Sequence, residues 1–100
     1  MPHKTKTKAE MSKGTVEHFL MEREGLSHLK VRPRGDLLTL ESVDEFENIY
    51  PHARFRKKSP HKWSLEMPVK NGWETTFIEG TLVDLMETLV KQFPWILTSR

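Results

Sequence analysis

Basic and apolar side chains alternate with a period of two in residues 28–34 and 52–62, and these two stretches hold eight of the twelve Lys and Arg residues that follow residue 13. A period of two belongs to a strand with one face in the core and the other in water. Lys30, Arg32, Arg54, Arg56 and Lys62 are therefore expected on one face of one sheet, with Leu29, Val31, Phe55 and Trp63 on the other.

That basic face is a local feature, not a bulk property. The formal net charge is +2, but Lys4, Lys6, Lys8 and Lys13 against Glu10 leave residues 14–100 with a net −1. Acids occupy other stretches: Glu41, Asp44, Glu45 and Glu47 in one run, then Glu66, Glu74, Glu79, Asp84 and Glu87. The chain is dipolar along its length.

One hundred residues allow one domain with one core. With no cysteine there is neither a disulfide nor a thiolate zinc site, which points to a reducing, cytoplasmic setting. Apolar runs are too short for a membrane span or a signal peptide, and the Lys/Thr-rich residues 1–11 read as a disordered basic tail ahead of a domain over 12–100.

Helical spacing appears twice. Val16, Phe19, Leu20 and Met21 form one apolar face, with Ser12 or Thr15 as cap and Gly25 in the left-handed stop position before Leu26. Leu82, Leu85, Met86, Leu89 and Phe93 form the other, with Thr81 and Asp84 as a reciprocal cap and Pro94 as terminator. Between them lie five strands and one long acidic connection over residues 42–51.

Side-chain parity constrains how the strands pair. Pairing Pro33 with Asp36 sets Val31 on Leu38 and Leu29 on Leu40, and leaves His28 opposite Glu41 on the outer face. Arg34, Gly35 and Asp36 spell an integrin-binding tripeptide, but a turn that needs glycine explains them. In the next hairpin two registers keep Phe55 and Trp63 inward. One pairs these aromatics and sets Arg56 on Lys62; the other pairs Phe55 with Leu65 and Arg54 with Glu66. An aromatic pair is worth about 0.5–1.5 kcal/mol and a charge pair about 0.2–1 kcal/mol, so both registers stay open.

Asn71 and Gly72 mark the last hairpin. A three-residue turn pairs Val69 with Trp73 and Leu65 with Phe77, gathers six apolar side chains on one face, and is the expected register. A two-residue turn pairs Lys70 with Trp73 instead and exposes Trp73 and Phe77 beside Lys62, as a base-stacking platform would.

Chemistry is sparse. His28 with Glu41 and His52 with Glu66 are possible base–carboxylate neighbours, but no motif places a nucleophile beside them, and no metal-ligand spacing or phosphate loop occurs. A small enzyme built on such a pair is the least supported option. No cofactor or metal is expected.

The expected fold is α+β: an N-terminal helix, an antiparallel meander of about five strands, and a C-terminal helix packed on one face. Its core is expected to include Phe77 and Phe93, with Trp95 and Ile96 tucked against the sheet. The expected function is a non-catalytic binding module, with nucleic acid or another polyanion on Lys30, Arg32, Arg54, Arg56 and Lys62. The alternative is an adaptor for a protein partner, whose mark would be an apolar patch at Phe46, Ile49 and Tyr50 left outside the core. The oligomeric state is not set by these residues.

Overall fold

A computed structural model describes residues 8–98, with side chains from residue 12 onward. The elements run α1 (Lys8–Met21), β1 (Lys30–Arg34), β2 (Leu37–Val43), β3 (Ile49–Ser59), β4 (Lys62–Val69), β5 (Gly72–Gly80), α2 (Leu82–Gln92) and a short 3₁₀ helix (Pro94–Leu97). The five strands form one antiparallel sheet in meander order, so the expected α+β architecture is the one observed. Helix α1 begins at Lys8, four residues ahead of the earlier of the two expected caps; the rest of the expected tail, residues 1–7, lies outside the described residues.

Both helices cover one face of the sheet. Val16, Phe19 and Leu20 from α1 and Leu82, Leu85, Met86 and Leu89 from α2 meet Val31, Leu38, Leu40, Ala53, Phe55, Trp63 and Leu65 from the strands. Gly25, at φ +83°, turns the chain out of α1 and delivers Leu26 to the core. At α2, Thr81 and Asp84 complete the reciprocal cap, with Asp84 N–H donating to Thr81 Oγ1 at 3.1 Å and Thr81 N–H to Asp84 Oδ2 at 3.2 Å. Among the described residues no helix is long and apolar enough to cross a membrane.

Parity holds on the first hairpins while register moves. β1 and β2 pair Val31 with Leu40 and Pro33 with Leu38, two residues from the expected register, because Gly35 and Asp36 make the turn with Gly35 at φ +59°. The faces survive the slip, but Lys30, not His28, stands opposite Glu41. β3 and β4 take the register that pairs Phe55 with Leu65 and Arg54 with Glu66. The carboxylate is what the charged row needs, and Trp63 instead packs beneath the Lys57 ammonium, 5.5 Å from its ring centroid.

The last hairpin departs from both expected registers. A two-residue turn at Lys70 and Asn71 pairs Val69 with Gly72 and Pro68 with Trp73. Further along, the register shifts between Ser64 and Glu66, so that Thr76, Phe77 and Ile78 form a bulge in β5. The Thr76 hydroxyl holds this bulge by donating to the Leu65 carbonyl at 2.8 Å and accepting from Ile78 N–H at 3.2 Å. Ile78 thereby reaches the core, and Phe77 is expelled at φ +67° and 89% exposed. The expected core place for Phe77 is thus wrong. Trp95 is exposed as well, and Leu97 is the buried residue of the C-terminal turn.

Candidate functional site

The face of the sheet away from the helices carries the five expected basic residues, with Lys30 at its β1 edge beside α1, and most of their charge is engaged. Arg32 Nε donates to both Glu41 oxygens, at 3.1 and 3.2 Å, and Lys62 lies 2.9 Å from Glu79 Oε1. Arg54 and Arg56 close on the two oxygens of one buried carboxylate: Arg54 Nε donates to Glu66 Oε1 at 2.6 Å and Arg56 Nε to Oε2 at 2.8 Å. Burial pushes the Glu66 carboxyl up, but the hydrogen bonds from Arg56 and Arg54, with their charges, outweigh it and hold it below its ordinary value. Lys30 and Arg34 form no ion pair of 4 Å or less among the described residues.

Structure brings Arg54, Arg56 and Trp73 together and leaves Lys62 at the far hairpin. The Arg54 guanidinium stacks on Trp73, 4.4 Å from the ring centroid, so the indole lies on this outer face and not in the core where the three-residue turn would have put it. Phe77 stands free on the edge strand β5. The face keeps more cations than carboxylates, yet its central pair of guanidiniums is occupied.

The two proposed base–carboxylate pairs do not form. Leu40 faces Ala53 and Glu41 faces Pro51, so His52 is an extra residue in β3, and this bulge turns it to the helix side, fully buried. His52 Nδ1 donates to the Ile96 carbonyl at 2.6 Å, and its Nε2 meets Ser42 Oγ at 2.7 Å. His28 Nε2 donates to the Leu97 carbonyl at 2.6 Å. A carbonyl only accepts, so each imidazole carries its proton on that nitrogen. Ser42 beside His52 resembles a hydroxyl beside its base, but Ser42 is 5% exposed and His52 0%, so substrate has no access to the hydroxyl. Both histidines fasten the C-terminal turn, His52 to the sheet and His28 to the segment that leads into β1. Among the described residues no three His, Cys, Asp or Glu side chains gather as a metal site would need.

A different surface emerges at the β2–β3 connection, residues 44–48. Asp44 Oδ1 accepts from Phe46 N–H at 2.8 Å and Asn48 N–H at 2.9 Å, and Oδ2 accepts from Asn48 Nδ2 at 3.1 Å and the Tyr50 hydroxyl at 2.9 Å. Backbone bonds from Asp44 N–H to Asn48 O and from Glu47 N–H to Asp44 O close the turn, with Glu47 at φ +66°. The hydrogen bond from Asn48 N–H leads the contributions that draw the Asp44 carboxyl below its ordinary value. This knot turns the apolar residues outward: Phe46 is 76% exposed, and the cross-strand partners Val43 and Ile49 are also exposed. Glu45 and Glu47 flank Phe46, both exposed.

Residue composition pointed to Phe46, Ile49 and Tyr50; the first two are exposed, but Tyr50 is half-buried with its hydroxyl on Asp44, and Val43 and the role of Asp44 were missed. The signal was local: an Asp followed four residues later by Asn, around a single aromatic between two acids. Searches of known protein families, curated proteins and solved structures find no match to this chain.

Proposed function

We propose that the protein is a non-catalytic interaction module whose contact element is the β2–β3 loop, and that its partner is a protein surface with an apolar pocket rimmed by cations. The observation that carries this role is the Asp44 knot. Four hydrogen bonds on one carboxylate hold a short loop in shape while Phe46, Val43 and Ile49 stay in water. Exposed apolar side chains rimmed by polar ones mark interaction sites, and a rigid aromatic loses little conformational freedom on docking. Glu45 and Glu47 would add charge selectivity at the rim.

The test is a photo-reactive benzoylphenylalanine at position 46 of the full chain, expressed in cells, with the same residue at exposed Lys70 as control. Expected is a discrete cross-linked species from position 46 that is absent from position 70 and is lost when Glu45 and Glu47 are changed to Lys. Equal or no cross-linking from the two positions would refute the role.

A second role is supported by the cation surplus of the open sheet face, where Lys30 and Arg34 stand on edge strand β1, two strands from Arg54 and its stack on Trp73. Such a face suits phosphate contacts that carry little sequence information. Its measurement is single-strand RNA binding against salt. If Lys30 and Arg34 each neutralise a phosphate, the full chain with Lys30→Gln and Arg34→Gln loses about 0.7 per contact from the log–log slope. An unchanged slope assigns the signal to other cations and removes this role.

A further inference from the structure

We propose that the partner of the β2–β3 loop is a second copy of this chain, and that two copies insert their loops reciprocally into each other's groove between α1 and β1; this rests on the interaction role proposed above. The groove has a volume of about 750 Å³ and a floor that includes Leu20, Leu26, Leu29 and Val31. Met21 stands at its edge, 83% exposed.

Charge selects the occupant. Among the described residues, Lys13, Arg23 and Lys30 line the groove against a single acid, Glu17, which pairs with Lys13 at 3.6 Å. Lys30 has no ion pair of 4 Å or less among the described residues, and Arg23 reaches Glu87 only at 4.0 Å. The loop offers the inverse: Phe46, Val43 and Ile49 as the apolar insert and Glu45 and Glu47 beside it, with Asp44 already engaged by its own loop. An acid-flanked aromatic knob and a base-rimmed apolar groove are complementary in both shape and sign.

Position permits closure. Lys30 stands opposite Glu41, so β2 runs past the start of β1 and sets the loop at the end of the sheet where the chain enters β1 from α1. Knob and groove therefore share one end of the molecule. A two-fold axis at that end makes both contacts at once and closes the assembly as a dimer, whereas a knob and groove on opposite ends would propagate into a filament. Two short loops bury little area, so the dimer belongs to the small, transient class of interfaces.

The experiment is sedimentation velocity of the full chain from about 10 µM to about 1 mM, a range that brackets a dissociation constant of about 100 µM. Three proteins are compared: wild type, Glu45→Lys with Glu47→Lys, and Lys13→Glu with Lys30→Glu, each checked by circular dichroism for an intact fold. Expected is a concentration-dependent dimer for wild type and association weakened by about tenfold or more in either variant alone. An equimolar mixture of the two variants should recover the wild-type dimer, because both loop–groove contacts are again opposite in sign. Phe46→Ser, which changes no charge, should also be monomeric. Wild type that stays monomeric throughout, or variants that dimerise as it does, would overturn the proposal. A position-46 cross-link to a different protein, with wild type monomeric, overturns self-pairing and leaves the interaction role standing.

Discussion

Glu66 and Asp44 are both carboxylates held below their ordinary pKa, and they do opposite things to the surface around them. Glu66 sits on the sheet face and draws two guanidiniums down onto itself, so a stretch dense in Arg becomes an internally satisfied ionic cluster. Asp44 spends its lone pairs on its own loop's N–H groups and a neighbouring hydroxyl, and so holds apolar side chains out in water. A concentration of charge in the sequence therefore marked a structural feature. The few apolar residues within an acidic run marked an exposed apolar patch.

The largest effect expected from breaking this contrast is at Arg54. Arg54→Ala removes one of the two cations that hold a 4%-exposed carboxylate, and should cost about 3 kcal/mol in chemical denaturation. The pH dependence gives its sign. With its folded pKa depressed, Glu66 contributes stability that is fully present above its unfolded pKa and is lost as pH falls through the folded value. In the variant the folded pKa rises toward the unfolded value, so the acid-side loss should be smaller and complete at a higher pH than in the wild type. A denaturation midpoint unchanged by Arg54→Ala would show that the cluster is ordinary surface.

Phe77 supplies a control of intermediate size. It too is an exposed aromatic, but a bulge and a left-handed φ put it there, not a hydrogen-bonded knot. Phe77→Gly should raise stability by about 1 kcal/mol by relieving that conformation, since a bulky residue there costs about 1–3 kcal/mol and glycine's extra chain entropy returns part of it. It should leave self-association unchanged. Loss of the dimer in Phe77→Gly would erase the distinction between the two exposed aromatics.

Phe46→Ser should change folding stability by about 0.5 kcal/mol or less, because its ring packs against nothing in the core, while association is lost. The most local effect is at Asp44 itself. Asp44→Ala should accelerate amide hydrogen exchange at Phe46 and Asn48 and leave the β4 amides unchanged. Equal protection in the variant would mean that the loop's shape does not depend on the carboxylate.

Much of the fold was legible because parity survives errors of register. Val31, Leu40, Phe55 and Leu65 face the core although β1 and β2 pair two residues away from the simplest alignment. Bulges are what defeat period-two reasoning. The extra residue at His52 turns an outer-face histidine inward, and the bulge at Thr76, Phe77 and Ile78 exchanges which apolar residue of β5 is buried. At His52 the adjacent Pro51 was the one cue, whereas the bulge at Thr76, Phe77 and Ile78 carries no glycine or proline to announce it. The charged face was legible as a location but not as a state, because whether Arg56 meets Lys62 or shares Glu66 turned on a choice between two registers of similar energy. The loop was legible as a candidate patch through Phe46, but the expected connection over 42–51 is shorter, 44–48, because Ile49 opens β3 opposite Val43.

The two imidazoles that reach the Ile96 and Leu97 carbonyls have a consequence for how the chain assembles. A meander sheet forms by closing successive short hairpins, each a small entropic step. The bond from His28 to Leu97 instead joins positions 69 residues apart, and His52 to Ile96 joins positions 44 apart. Contacts that close such long loops become favourable only after the intervening structure has shortened the effective distance. These fastenings are accordingly expected to form after the chain has crossed its folding barrier. If they act as such a latch, His28→Ala or His52→Ala should speed unfolding in stopped-flow measurements and leave the refolding rate unchanged, and a slowed refolding would place the bond before the barrier.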